Sequence, residues 1–261
     1  MSDEPIYLNR RGDIAEMILN RPEKRNAMNL GVWQAIPRLI GEVAADPAIK
    51  VLILRGGTPE AFSAGADIGE FKTVHASADS ARDYHAQVHD AYDAIAGLNK
   101  PTIAMVQGVC YGGGCAVALK CDLRYGDLTA KFCIPPATLG LAYSLRETKS
   151  LSDLVGPSKA KEMLMGARVI EAQEAEIIGL ATRIFPADDL ERETYAFAER
   201  LCGLSQYSIR AVKQNVGEIL DGATDETDNS RALAMGAFEN PDYVEGRDAF
   251  LQKRKAAFTY R

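Results

Sequence analysis

The sequence predicts an α/β protein: a core of repeated strand–turn–helix units followed by a mostly helical C-terminal region. Three observations carry this. Val51-Leu52-Ile53-Leu54 is a continuous apolar run of strand length, the pattern of a strand covered on both faces. Pro101 to Val106 is a second such run. It leads through Gly108 and Gly112-Gly113-Gly114 into an apolar, helix-like segment from Cys115 to Leu119. From about Ser144 onward, helical spacing replaces strand-like runs. Buried strands alternating with helices imply a layered α/β core.

Each element has its own signal. Ile14 to Leu19 reads as a strand after a turn at Gly12-Asp13, and Asn20-Arg21-Pro22 ends it. Asn29 can cap a helix with Val32, Ile36, Leu39, Ile40 and Val43 on one face. Pro37 inside that pattern is expected to kink it. Trp33, the single tryptophan, is expected in the core. Asp79 to Leu98 is a second amphipathic helix, marked by Tyr84, Val88, Tyr92 and Ile95. It carries His85 and His89, four residues apart, a spacing that can share a metal. No glutamate follows His85 and no third ligand is evident, so no metal site is expected and both read as exposed.

After the triple glycine, Leu123-Arg124-Tyr125 and Lys131 to Ile134 are short strands, the second broken by Pro135-Pro136. Helix-like runs begin at Ser158 and Glu171, and Phe185 to Leu190 is a turn and cap before a helix to Cys202. Helices near Gln206–Leu220 and Thr227–Phe238 follow, and Pro241 to Phe258 closes the chain with Lys253-Arg254-Lys255. The expected division is a core over residues 1–200 and a helical region over 201–261.

Bulk properties narrow the function classes. The chain has 261 residues, 47% of them hydrophobic and 25% charged, as in soluble globular proteins. A net charge of −6 argues against a general nucleic-acid binder, while leaving room for a local basic patch around a small anion. The longest apolar run, Ile103 to Leu119, holds four glycines and is too broken to span a membrane. Met1-Ser2-Asp3-Glu4-Pro5 is polar and acidic, unlike a leader. With five cysteines, an odd number, reduced thiols in a cytoplasmic protein are expected.

Chemistry concentrates at the triple glycine. Three consecutive glycines are conformationally costly. They are kept where a backbone must approach something closely or aim its N–H groups outward. The helix that follows puts its unpaired N–H groups and positive end at that spot, which suits an anion or a developing oxyanion. A close helix–strand crossing would use the same residues without chemistry.

Phe62-Ser63-Ala64-Gly65-Ala66-Asp67-Ile68, followed about forty residues on by G-G-G-C and an apolar helix ending in Cys121-Asp122, resembles the paired signature of the crotonase (enoyl-CoA hydratase/isomerase) family. The pair is more specific than either half. R-P-E-K-R-N-A-M at Arg21–Met28 and A-F-L-Q-K-R-K at Ala249–Lys255 extend the resemblance over nearly the whole chain. The resemblance implies a crotonase-like spiral of repeated ββα units with a C-terminal helical oligomerisation region, assembled as a homotrimer or a dimer of trimers. It implies an acyl-CoA substrate, with coenzyme A as part of the thioester and no separate cofactor.

Carried over residue by residue, the thioester oxygen is expected between the backbone N–H groups of Ala66 and Gly113. Ala64, Asp67 and Ile68 share the first of these loops, and Asp67 is expected to fix it. Lys24 or Arg25 and the terminal Lys253, Lys255 and Phe258 are the expected coenzyme A contacts.

The same resemblance exposes a gap. Hydratases of the family use two glutamates as general acid and base. The first follows G-G-G-C, where this chain has Ala116. The second has its place taken by Pro136. Neither residue can carry a proton. An oxyanion hole without a base could still stabilise the enolate left by loss of CO2. P-A-T-L-G-L-A-Y at Pro136–Tyr143 resembles the matching stretch of methylmalonyl-CoA decarboxylases, in which the tyrosine, here Tyr143, lies at the substrate carboxylate. The match is incomplete at Ala66 and Ala116, where those enzymes carry histidine and glutamate. Decarboxylation of a malonyl-type thioester is thus the leading specific expectation. Hydration or isomerisation through a relocated acid/base such as Glu147 is one alternative. A catalytically silent acyl-CoA-binding protein is another. Tyr111, Cys115 and Cys133 flank the expected pocket, the cysteines reading as core.

Overall fold

The computed structural model describes residues 3–260. Among these described residues, ten strands form two sheets. β1 (Ile6–Arg11), β2 (Ile14–Leu19), β3 (Val51–Gly56), β5 (Thr102–Val106), β7 (Leu123–Asp127) and β10 (Arg183–Phe185) make a six-stranded sheet in that order. β4 (Ala61–Ser63), β6 (Val109–Tyr111), β8 (Lys131–Cys133) and β9 (Ile170–Glu171) make a four-stranded one. β1 and β2 form an antiparallel hairpin across Gly12, whose φ of +63° suits glycine. The other neighbours in the large sheet pair in parallel.

The repeat is visible in how the strands are dealt out. β3, β5 and β7 each lie in the large sheet, and the strand after each, β4, β6 and β8, lies in the small one. A helix then returns the chain: α3 (Ala78–Gly97) after β4 and the short α2 (Phe71–Val74), α4 (Gly113–Lys120) after β6, and α5 (Leu145–Val155) with α6 (Pro157–Gly166) after β8. This is the expected spiral of ββα units.

Burial explains the strand signal. Leu52 and Leu54 of β3 join one apolar cluster with Val32, Trp33 and Ile36 of α1 (Leu30–Ala45). Val51 and Ile53 join a second, with Leu190, Tyr195 and Ala198 of α8 (Ala187–Cys202). A strand covered on both faces has no polar side to alternate with. Trp33 is fully buried, as expected. Asn29 Oδ1 caps α1 by accepting from the Val32 amide at 3.0 Å, and the helix runs through Pro37 to Ala45.

Beyond α6 come α7 (Ala172–Ile177), β10 and α8, then α9 (Gln206–Leu220), α10 (Asp228–Glu239) and α11 (Pro241–Leu251). The expected boundary at residue 200 falls in the last turn of α8, whose apolar face packs on the large sheet. Among the described residues, no helix is long and apolar enough to cross a membrane.

Candidate active site

Two loops, one leaving each of two successive small-sheet strands, meet at Ala66 and Gly113. The first begins at Ser63, whose hydroxyl donates to the Asn26 carbonyl at 2.8 Å and accepts from the Gly65 amide at 3.1 Å. Gly65 has φ +99°, and a Cβ there would stand 2.8 Å from the Tyr111 carbonyl oxygen. Only glycine allows that approach. Met28 braces the loop from the far side: its amide donates to Gly65 O at 2.7 Å, and its carbonyl accepts from Asp67 N at 2.9 Å. The Ala66 amide between these two points elsewhere. The second loop turns at Gly112, φ +49°, whose amide donates to Cys133 O at 2.8 Å. α4 then starts at Gly113, whose N–H is one of the helix's unpartnered donors.

A Cβ on Gly113 would lie 3.5 Å from Ala66 N and 3.1 Å from the Trp33 ring. Among the described residues, neither amide donates to a protein group. Two neighbouring, uncommitted backbone donors at a helix start can hold an oxygen that gains negative charge. Trp33 backs them, its indole N–H donating to the Tyr84 hydroxyl at 3.1 Å.

Asp67 fixes the first loop. Its Oδ2 accepts from Arg21 Nη2 at 2.9 Å and its Oδ1 from the Gly69 amide at 3.0 Å. Burial alone would push this carboxyl up. The Arg21 hydrogen bond, the Gly69 amide and the charges of Arg21 and Lys24 outweigh burial and hold it below its ordinary value. Arg21 also donates to Ala27 O at 2.6 Å. Nothing in the sequence pairs Arg21 with a residue 46 positions away; the fold does.

Lys24 and Arg25 are exposed on the turn next to this loop, where the Arg25 carbonyl accepts from the Ala64 amide at 2.8 Å. Ala64 is half-buried and Ile68 is exposed. Lys253 and Lys255 are exposed at the end of the chain, whereas Phe258 lies over Gly246 of α11. The structure therefore gathers Lys24, Arg25, Ala64, Ala66, Asp67, Ile68 and Gly113 at one place. The three C-terminal residues belong to a separate cluster around α11.

Ala116 is buried and Pro136 opens a short turn, so neither glutamate position holds a titratable group. Glu147, in the first turn of α5, is buried, 4% exposed. Its backbone N–H is capped by Ser144 Oγ at 3.3 Å. Its Oε1 lies 3.6 Å from Lys120 Nζ and 3.8 Å from His89 Nδ1. Burial lowers the Lys120 ammonium from its ordinary value, although Glu147 beside it pulls the other way. Burial, with Tyr92, Cys115 and Glu147 nearby, pushes the Tyr143 phenol well above its ordinary value. Its hydroxyl is buried without a hydrogen-bond partner among the described residues.

One reading of the sequence changes here. His85 is exposed, but His89 is half-buried and turned toward Glu147, where the first turn of α5 reaches α3 through the His89–Glu147 and Asp93–Arg146 pairs. Lys120, the polar end of an apolar helix, carries no local signal of a role. It stands one turn beyond Ala116, and a helical side chain leans back toward the N-terminus, over that turn. Cys115 and Cys133 are buried, as expected of core residues, and burial pushes the Cys133 thiol up. Tyr111 is half-buried, its phenol also raised by burial.

A family model for enoyl-CoA hydratase/isomerase matches residues 9–261. The crotonyl-CoA hydratase of Syntrophomonas wolfei is 36% identical over 99% of both chains. A short-chain-enoyl-CoA hydratase of Clostridium acetobutylicum is 30% identical, covering 96% of this chain and 95% of its own. Among solved structures, an enoyl-CoA hydratase/isomerase family protein from Hyphomonas neptunium superposes with a TM-score of 0.96 at 40% identity, covering 99% of this chain and 98% of its own. An enoyl-CoA hydratase/carnithine racemase from Magnetospirillum magneticum gives 0.95 at 33% identity, covering 100% and 97%.

Proposed function

The chain belongs to the enoyl-CoA hydratase/isomerase family, and from that premise we propose that it hydrates or isomerises an enoyl-CoA with Glu147 as the single acid/base. The observation that carries this reading is the burial of Glu147 beside the helix that begins at Gly113. The thioester oxygen sits between the amides of Ala66 and Gly113. In hydration, Glu147 takes a proton from water as the water oxygen bonds to C3, and the C2=C3 electron pair moves into the enolate. Glu147 then returns the proton to C2. The two amides stabilise the enolate oxygen throughout, a contribution of about 3 kcal/mol per donor in comparable sites.

Lys24 or Arg25 contacts the coenzyme A phosphates as a flexible cation. No cofactor is needed beyond the coenzyme A of the substrate. The protein acts in the cytoplasm as a homotrimer or dimer of trimers.

One observation favours a second reading. The Tyr143 hydroxyl is buried without a partner, and a substrate carboxylate would supply one. Malonyl-type decarboxylation needs the same enolate and no base, since the C–CO2 bond electrons pass directly into it. The test is one incubation with crotonyl-CoA and methylmalonyl-CoA together, read by mass spectrometry. Water added to crotonyl-CoA, and its loss in Glu147→Gln, supports the main reading. CO2 lost from methylmalonyl-CoA, with crotonyl-CoA untouched, overturns it in favour of the second. Binding without turnover of either points to a silent acyl-CoA-binding protein.

A further inference from the structure

We infer that Lys120 and His89 are positioning residues that hold Glu147 by one oxygen, Oε1, and so present Oε2 to the reacting proton. The inference rests on the acid/base reading of Glu147 and adds how that carboxylate is aimed.

A glutamate in the first turn of a helix has a common structural use: its carboxylate turns back onto the free amides of that turn. Glu147 does not do this. Its own amide is capped by Ser144 Oγ, and its carboxylate accepts no backbone N–H among the described residues. It turns inward instead, to a side-chain exposure of 5%. There two cationic or potentially cationic groups converge on the same atom. Lys120 Nζ stands 3.6 Å from Oε1, and His89 Nδ1 stands 3.8 Å from it. For both groups Oε1 is the nearer carboxylate oxygen, which leaves Oε2 the farther from each.

Lys120 is itself held in place. Its Nζ donates to Ser150 Oγ at 2.8 Å and lies 5.7 Å from the centre of the Tyr92 ring. Tyr92 in turn meets the edge of Trp33, the residue behind Gly113. A chain of packed groups therefore ties the ammonium to the amide at the start of α4. On the outer side, Arg146 and Asp93 pair through two hydrogen bonds. They stand one residue from Glu147 on α5 and four from His89 on α3, so the two helices are joined both at the surface and inside.

A buried carboxylate with no cation beside it is costly. Lys120 removes that cost without occupying both oxygens, as a bidentate arginine would. An acid/base needs its reactive oxygen within hydrogen-bond reach of the substrate and its other oxygen fixed. Around Glu147 the second condition is served by charge contacts of 3.6 and 3.8 Å, longer than hydrogen bonds, from side chains that two different helices supply.

The test is exchange of the α-protons of butyryl-CoA in D2O, followed by mass spectrometry. Butyryl-CoA has no double bond to hydrate, so exchange reports only enolate formation and proton transfer. Glu147→Gln is expected to reduce exchange at least 100-fold. Lys120→Met and His89→Gln are each expected to slow the maximal rate at least tenfold while leaving the KM for butyryl-CoA within twofold. A structural role alone would lower the melting temperature without that split. His89→Gln strands no buried charge, so it remains informative even if Lys120→Met fails to fold. Wild-type exchange in either folded variant overturns the inference for that residue, with Glu147 still the acid/base. Wild-type exchange in Glu147→Gln overturns the acid/base reading itself.

Discussion

The amide nitrogen of Ala66 lies 3.5 Å from the position a Cβ on Gly113 would occupy, so two loops 47 residues apart in sequence put uncommitted donors side by side. The next glycine serves a different purpose. A Cβ on Gly114 would stand 2.6 Å from Ser63 Cβ and 2.7 Å from Ser63 O, where nothing flexible can yield. Substitution should separate the two roles. Gly113→Ala keeps the backbone N–H but adds a Cβ 3.5 Å from Ala66 N, which crowds an oxygen held between the two amides, and is expected to reduce kcat about 100-fold, the scale of one ineffective oxyanion donor. Gly114→Ala is expected to cost about 1–3 kcal/mol of stability from overpacking. Steady-state kinetics beside denaturant unfolding checks both, and a Gly113→Ala enzyme of full activity would contradict the assignment.

The Arg21–Asp67 pair should govern the first loop. Both side chains are largely buried, at 16% and 13% exposure, and Arg21→Ala removes a charged hydrogen bond at each of two acceptors. A loss of about 1–3 kcal/mol is expected.

Its pH dependence has a definite sign. Asp67 titrates below its ordinary value of 3.8 in the folded chain, so its stabilisation is fully present above that value and is lost as pH falls through the folded one. The melting-temperature gap between wild type and Asp67→Asn should therefore be full at neutral pH and close under strong acid. A gap that widens on acidification would contradict this.

Tyr143→Phe removes a buried hydroxyl that has no partner, so it is expected to leave stability unchanged or slightly higher. Because the phenol titrates well above 10.0, any loss of rate between pH 7 and 9 should persist in the variant. Hydration should survive the change, and methylmalonyl-CoA decarboxylation, if present, should not.

Val212, Val216 and Ile219 are exposed at positions i, i+4 and i+7 of α9, and Met235 and Phe238 are exposed on neighbouring α10. Apolar stripes of this kind mark contact surfaces. Sedimentation is expected to give a trimer or hexamer of the 28.3 kDa chain, and Val216→Glu with Ile219→Glu to lower the mass. A monomer at micromolar concentration would contradict the assembly.

Much of this molecule is readable in its sequence because the signals are local. β3 shows as an apolar run because both its faces are covered, and the turn at Gly112 shows as a glycine triplet because its backbone needs positive φ and close approach. Ala116 and Pro136 are equally legible as missing carboxylates. What replaces them is not. Glu147 is legible only as a candidate relocated acid/base that could equally be a helix-start carboxylate, His89 reads as one of two exposed histidines, and Lys120 gives no signal. Their meeting depends on α3, α4 and α5 packing together, which no local pattern encodes. The same holds for Arg21 and Asp67.

The most direct measurement is the carbonyl stretching frequency of a thioester bound at Ala66 and Gly113. An unreactive acyl-CoA labelled with 13C at the thioester carbonyl, compared with its unlabelled form by difference infrared spectroscopy, isolates that one bond. Donation from both amides polarises the carbonyl, so the band is expected to move to lower frequency on binding and to recover part of that shift in Gly113→Ala. A bound thioester whose carbonyl band stays at its free-solution frequency would contradict the claim that these two amides form an oxyanion hole.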